Sequence, residues 1–369
     1  VVGTPYNAPV PFFNDMEGRF TPASWTAAPL PAGLTINSAG VITGTPIVAI
    51  TAPTTYANIK IAATNVAGKS VVATTSITIS PIHANAIGSF VGLVDRTGAG
   101  SLTAGTLGVG ARFDLTTMTN STFSGKITVG ATAYSFNGGK LNTTVQATPT
   151  GTITVPRAGK TALVVNFAID TVNNLLTGTV SDVTPTSAAL NGWRLVWKTT
   201  NPSPNPATDR FGRHNFVATI PVSLEGDDTP QGASIPQGDS FGAATVALNG
   251  TVTLVYKTSE NSLPATASAP LSPTGKFLLY KALYTATAPG SVMGTPTIAN
   301  TAGVHEVTGT LTWNKATQLP TVKLYQAGFG PITLDVAGGL YNPPTVVGTD
   351  VFLGAKVAAG VNVAATFFD

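Results

Sequence analysis

Three histidines, a few carboxylates and one short basic stretch are the side chains here with the chemistry for proton transfer, metal binding or anion recognition. His83, His214 and His305 form no metal-spaced pair of the HExxH kind, and each is read as a surface or structural residue. Gly238-Asp239-Ser240-Phe241-Gly242 resembles a serine nucleophile elbow only superficially. It reads as a turn before an alternating strand at Ala244 to Leu248. Glu225, Asp227, Asp228 and Asp239 lie in and beside a Gly/Pro-rich loop. Paired carboxylates could serve glycoside hydrolysis, and their oxygens could equally hold calcium, but their spacing fits no defined calcium loop. The expectation is a solvated acidic loop with calcium as the one cation candidate.

Asp209-Arg210-Phe211-Gly212-Arg213-His214 is the most charged stretch. An ion pair between Asp209 and one arginine is expected, with Arg210 and Arg213 as candidates for ligand contact. Trp193 and Trp197 are four apart, so in a strand they share a face. Two such rings can stack on sugars or fill a core, and Leu195 on the same face favours the core. Tyr280, Tyr284, Trp313 and Tyr325 are read the same way. The glycines occur in no phosphate-loop context. No residue is assigned a catalytic or cofactor-binding role.

The elements that must carry these residues are short strands. Of 369 residues, 39 are Gly and 27 are Pro, so turns are frequent and long helices are excluded. Thr and Val abound, and both are β-branched and suit a pleated surface. Charged residues are only 9%, against about 25% in an ordinary domain. A surface so poor in charge loses little when it is desolvated against a neighbour. The net charge of +3 comes from 19 basic and 16 acidic residues scattered along the chain, with no basic run, which argues against nucleic-acid binding. There is no cysteine, so disulfides and thiolate metal sites are excluded. No apolar run reaches the roughly 18 residues of a membrane-spanning helix. No signal peptide opens the chain, which is read as mature protein or an excised piece.

In the first segment, 1–81, Ile59, Ile61 and Ala63 alternate with polar or small residues, and Ile77 and Ile79 repeat the pattern. Asn65 to Gly68 is a turn between strands. The run LPAGLTINSAGVITGTP followed by ATNVAG resembles the immunoglobulin-like (cadherin-like) domains repeated in large bacterial surface proteins, and Val2 to Tyr6 matches their first strand. The stretch Phe12 to Thr26 departs from that pattern, being longer and more aromatic. The resemblance implies a β-sandwich that acts as a spacer or presenting module.

After a linker at 82–87, segment 88–345 is expected to be a larger antiparallel barrel-like domain of two related halves, about 88–195 and 210–340. A Gly-led alternating cadence recurs at Gly125, Gly151, Gly250 and Gly309, each read as a turn feeding a strand. Strings such as GSFVGLV and FSGKITVGATAYSFNG resemble uncharacterised β-rich domains of large secreted bacterial proteins, which implies an extracellular location and no known activity. Residues 346–369 read as a C-terminal strand extension ending uncapped.

The fold class expected is therefore all-β. The function expected is a non-catalytic structural or adhesive module, extracellular or at the cell surface. Its partners would be copies of itself or neighbouring domains, with no nucleic acid and no membrane-spanning segment. The alternative is a carbohydrate-binding accessory module with Trp193 and Trp197 foremost.

Overall fold

The computed structural model describes residues 1–10, 22–66, 68–97, 102, 106–183, 186–199, 207–221, 224, 235–260, 265–319, 321, 324–342, 350–352 and 355–356. The chain is all-β. Among the described residues the only helical turns of three residues or more are the 3-10 turns Ala84–Ala86 and Leu107–Val109.

The N-terminal unit is a sandwich. One sheet holds β1 (Tyr6–Pro9), β4 (Val41–Gly44) and β3 (Leu34–Ile36). The other is built around the long β5 (Thr54–Asn65), flanked by β2 (Ser24–Ala28), the short β6 (Gly68–Lys69) and β7 (Ala73–Ile79). Ile59, Ile61, Ile77 and Ile79 are buried between the sheets with Leu34 and Ile42, as their alternation requires. Gly40 has a φ of +73° and the Trp25 indole lies 2.6 Å from where a Cβ would stand, so only glycine fits there. Phe12 and Phe13 lie outside the described residues. Residues 82–87 are a packed join. Ile82 belongs to the sandwich core, and His83 Nδ1 accepts from Asn85 N (3.2 Å) to cap the turn that follows.

The rest of the chain forms two nearly closed sheets of the same strand order. The first contains β8 (Gly88–Val94), β9 (Ala111–Thr117), β10 (Thr122–Val129), β11 (Thr132–Lys140), β12 (Thr150–Arg157), β13 (Lys160–Asp170), β14 (Leu175–Val183) and β15 (Thr186–Arg194). Neighbours in sequence pair antiparallel, β15 closes onto β8, and a seam is left between β11 and β12. The second contains β16 (Gly212–Thr219), β17 (Ser240–Val246), β18 (Thr251–Lys257), β19 (Ala265–Pro270), β20 (Leu279–Tyr284), β21 (Pro289–Gly294), β23 (Val304–Lys315) and β24 (Phe329–Leu340), with β22 (Thr297–Thr301) paired to β23. Here β24 closes onto β16 and the seam lies between β19 and β20. Each half thus curls into a nearly closed barrel of its own, with eight strands around a space that side chains can fill. In the C-terminal stretch, β25 (Asp350–Phe352) pairs with β26 (Ala355–Lys356).

The glycine cadence is only partly a set of turns. Gly250 is a turn residue with φ +73°, but Gly125, Gly151 and Gly309 lie inside β10, β12 and β23. At Gly125 a Cβ would fall 2.0 Å from the Asp114 carbonyl oxygen, beside an irregularity in register. Gly139 and Gly151 lie on the two strands that border the first barrel's seam, and the Phe123 ring occupies the space a side chain at Gly139 would need, as the Phe167 ring does at Gly151. Phe113, Phe136 and Phe167 complete this aromatic core, with Phe113 and Phe136 stacked at 5.5 Å.

The barrels share an interface. β8 sends Phe90 and Val94 into the first barrel, while Val91 and Leu93, with Trp193 of β15, pack against Ala269, Leu278, Tyr280 and Met293 of the second barrel. Trp193 Nε1 donates to Pro270 O (3.0 Å), Tyr280 OH donates to Gly110 O (3.0 Å), and Asn314 Nδ2 donates to Gly108 O (3.1 Å). Arg96 reaches across to Ser291 O (2.8 Å) and to the Thr312 hydroxyl. Burial lowers its pKa to about 10, so it stays charged at neutral pH. Trp193→Ala is expected to cost about 3–5 kcal/mol, measured as a lowered midpoint in chemical denaturation.

Candidate functional site

The residues that sequence reasoning singled out are dispersed. Glu225, Asp227 and Asp228 lie outside the described residues, and Asp239 is exposed. Among the described residues no three His, Asp or Glu side chains converge on a metal position. Gly238 to Gly242 does carry the letters of an elbow in full, but Ser240 is buried at the start of β17, where its Oγ accepts from Ser259 N (3.2 Å). A strand follows, where an elbow needs a helix.

Trp193 and Trp197 do not share a face. β15 ends at Arg194, so the strand geometry behind that expectation stops short of Trp197. Trp193 lies between the barrels, while Trp197 enters the second barrel's core over Gly250 and donates Nε1 to Leu271 O (3.0 Å). Their exposures are 4% and 8%, so neither ring offers a platform to a sugar. Arg210 makes the expected ion pair with Asp209 and donates Nε to Ile298 O (2.9 Å), which fixes its stem to the barrel. Arg213 is exposed, lies over the Tyr341 ring (5.7 Å) and donates Nε to Asn215 Oδ1 (3.1 Å).

Arg213 is also on the rim of a groove of about 650 Å³ on the outer face of β16, β17, β18 and β24. Val217 pairs with Phe241 on one side and Ala337 on the other, and Phe241 pairs with Lys257. One register step along, Asn215 lies between Ala243 and Gly339, and Ala243 pairs with Val255. The small side chains in this second row leave the depression between taller neighbours. Phe241, Val217 and Val255 are 54%, 42% and 44% exposed. Lys257 Nζ lies over the Phe241 ring at 5.9 Å. The groove is lined by two cations and no carboxylate. Exposed apolar ground of this kind, contiguous and bordered by charge, marks contact surfaces.

Two polar constellations escaped sequence reasoning. Lys315 and Glu260 form an ion pair in which the lysine side chain has no exposure. Lys315 Nζ also donates to Leu324 O (2.7 Å) and faces the rings of Tyr284 (4.9 Å) and Tyr325 (5.7 Å). Tyr284 OH donates to Glu260 Oε2 (2.6 Å) and accepts from Trp313 Nε1 (3.0 Å). Burial, then the Glu260 carboxylate, drives the Tyr284 pKa far upward, so it remains a neutral donor. Tyr284 and Tyr325 hold φ values of +65° and +48°, a strained region for bulky residues. The partners come from separate loops and strands, so no motif announces them.

The second is His214 with His305. β24 lies between their strands, and the rings meet across it with Nε2 of His214 at 2.8 Å from Nδ1 of His305. The rings are nearly parallel at 12°, with centroids 5.1 Å apart, the arrangement of one N–H···N bond made edge to edge. Burial first, and His305 second, lower the His214 pKa.

Residues 1–80 match the family described as "Putative Ig domain". No curated protein matches the chain. Among solved structures, a protein of unknown function of the DUF3598 family from Nostoc punctiforme aligns at 12% identity, covering 70% of this chain and 97% of that one. The TM-score is 0.17, too low to carry an argument.

Two outcomes follow from the buried groups. Lys315→Met alone strands a carboxylate and is expected to cost about 3–5 kcal/mol, whereas Lys315→Met with Glu260→Leu recovers most of it. Paired denaturation curves check this. For His214 the folded pKa lies below the ordinary 6.5, so the unfolded chain takes up the proton first. Stability from this group is complete above 6.5 and falls as the pH drops below it. His214→Gln is expected to flatten that fall in melting temperatures measured against pH.

Proposed function

We propose that this chain is a non-catalytic structural or adhesive module of an extracellular or cell-surface protein or fibre, working by contact through its sheet faces. The observation that carries this is the groove bordered by Phe241, Val217 and Val255, an apolar face turned to solvent and rimmed by Lys257 and Arg213. The interior of both barrels supports it. Their centres are filled by Phe113, Phe123 and Phe167 in one and by Phe216, Phe277 and Trp313 in the other, so recognition falls to the outside. The Ig-like unit at residues 1–80 supports a spacer role for the N-terminal sandwich.

The partners are other copies of the chain or neighbouring domains. Among the described residues no helix is long and apolar enough to cross a membrane. Phe241→Asp puts a charge on the groove without touching either core. It is expected to abolish concentration-dependent association in sedimentation velocity, with an unchanged circular dichroism spectrum. Association as strong in Phe241→Asp as in the parent chain contradicts the assignment of this face.

A further inference from the structure

We propose that the groove on the second barrel receives the β13–β14 turn of the first barrel from another copy of this chain, so that copies join head to tail. The inference rests on the groove being the contact face and names what fills it.

The turn is built as a knob. Val172 at its tip is 74% exposed and Leu175 beside it is 40% exposed. Asp170 stands at its base and stiffens it. Asp170 Oδ1 accepts from Val172 N (2.9 Å) and Asn173 N (2.9 Å), and Oδ2 accepts from Asn173 Nδ2 (2.7 Å). These bonds lower the carboxyl's pKa, with the Asn173 side chain contributing most, so it is ionised at neutral pH. A turn held this way loses little freedom on docking.

Charge favours this knob over one other exposed apolar turn. The β5–β6 turn of the sandwich also exposes apolar groups, with Val66 at 87%, but its charged neighbour is Lys69. Lys257 and Arg213 at the groove repel that turn and attract Asp170. Glu306 and Asp335 occupy the same outer face but do not line the groove, which leaves Lys257 at one end and Arg213 at the other as the charges that meet an incoming carboxylate. The knob and groove are different surfaces on different barrels. A contact between them is heterologous, and unless rotation closes a ring it propagates as an open filament.

The test mixes two variants of the full chain. Val172→Lys spoils the knob and Phe241→Asp spoils the groove, both at exposed positions. Each variant alone is expected to remain monomeric in sedimentation velocity, whereas the parent forms a ladder of oligomers that shortens as salt rises. An equimolar mixture is expected to stop at dimers, because each variant keeps one intact partner surface. Loss of association in Phe241→Asp but not in Val172→Lys overturns the head-to-tail pairing while the groove remains a contact face. A parent chain that stays monomeric, or a mixture that shows no dimer, also overturns it.

Discussion

β8 is buried on both of its faces, and the arrangement of the two barrels depends on it. A strand in an ordinary barrel has one face for the core and one for water. Here Phe90 and Val94 serve the first core while Val91 and Leu93 serve the interface. The apolar term is non-directional, so it holds the barrels together without fixing their rotation. Direction comes from hydrogen bonds that cross the joint, made by Trp193, Tyr280, Asn314 and Arg96. The second barrel's seam faces this joint, and Ala269 on β19 and Tyr280 on β20 are both packed within it. An exposed break in a sheet invites pairing with other chains, and the first barrel covers this one.

The Lys315 network inside the second barrel is satisfied in the same way. Lys315 is tolerated because its ammonium meets a carboxylate, a carbonyl and two ring faces, and because Glu260 spends its second oxygen on Tyr284. The strained backbone at Tyr284 and Tyr325 holds two aromatic rings against one cation. The same barrel thus has an interior network in which Lys315, Glu260 and Tyr284 satisfy one another, and an exterior groove whose cations, Lys257 and Arg213, lie over aromatic rings.

The strands were legible in the sequence wherever alternation was clean. Ile59 and Ile61, Ile127 and Val129, and Val252 and Leu254 all point inward as their spacing requires. The strand meanings of Gly125 and Gly151 were not legible, because a glycine that makes room for a carbonyl or a ring has the same letter as one that makes a turn. Trp193 and Trp197 misled because their shared face presumed a strand that ends between them. Lys315 with Glu260, and His214 with His305, are separated by 55 and 91 positions, and only sheet closure brings them together. Of the groove, Arg213 was marked in advance, but Phe241, Val217 and Ala337 become one surface only through the register of β24 against β16.

The first barrel's seam has a mechanical meaning. Among the described residues β11 and β12 share no ladder; an isolated bridge joins Asn142 to Thr150, and Arg157 lies over the Tyr134 ring. The sandwich touches the barrel close to the end of that join, where Thr4 and Thr143 share a hydroxyl bond (2.9 Å) and Thr143 donates to Val2 O (2.5 Å). Among the described residues the seam is thus the longitudinal line of this barrel along which the fewest backbone hydrogen bonds join neighbouring strands. The other neighbouring strands of this barrel are paired along their length, so local opening costs least along the seam.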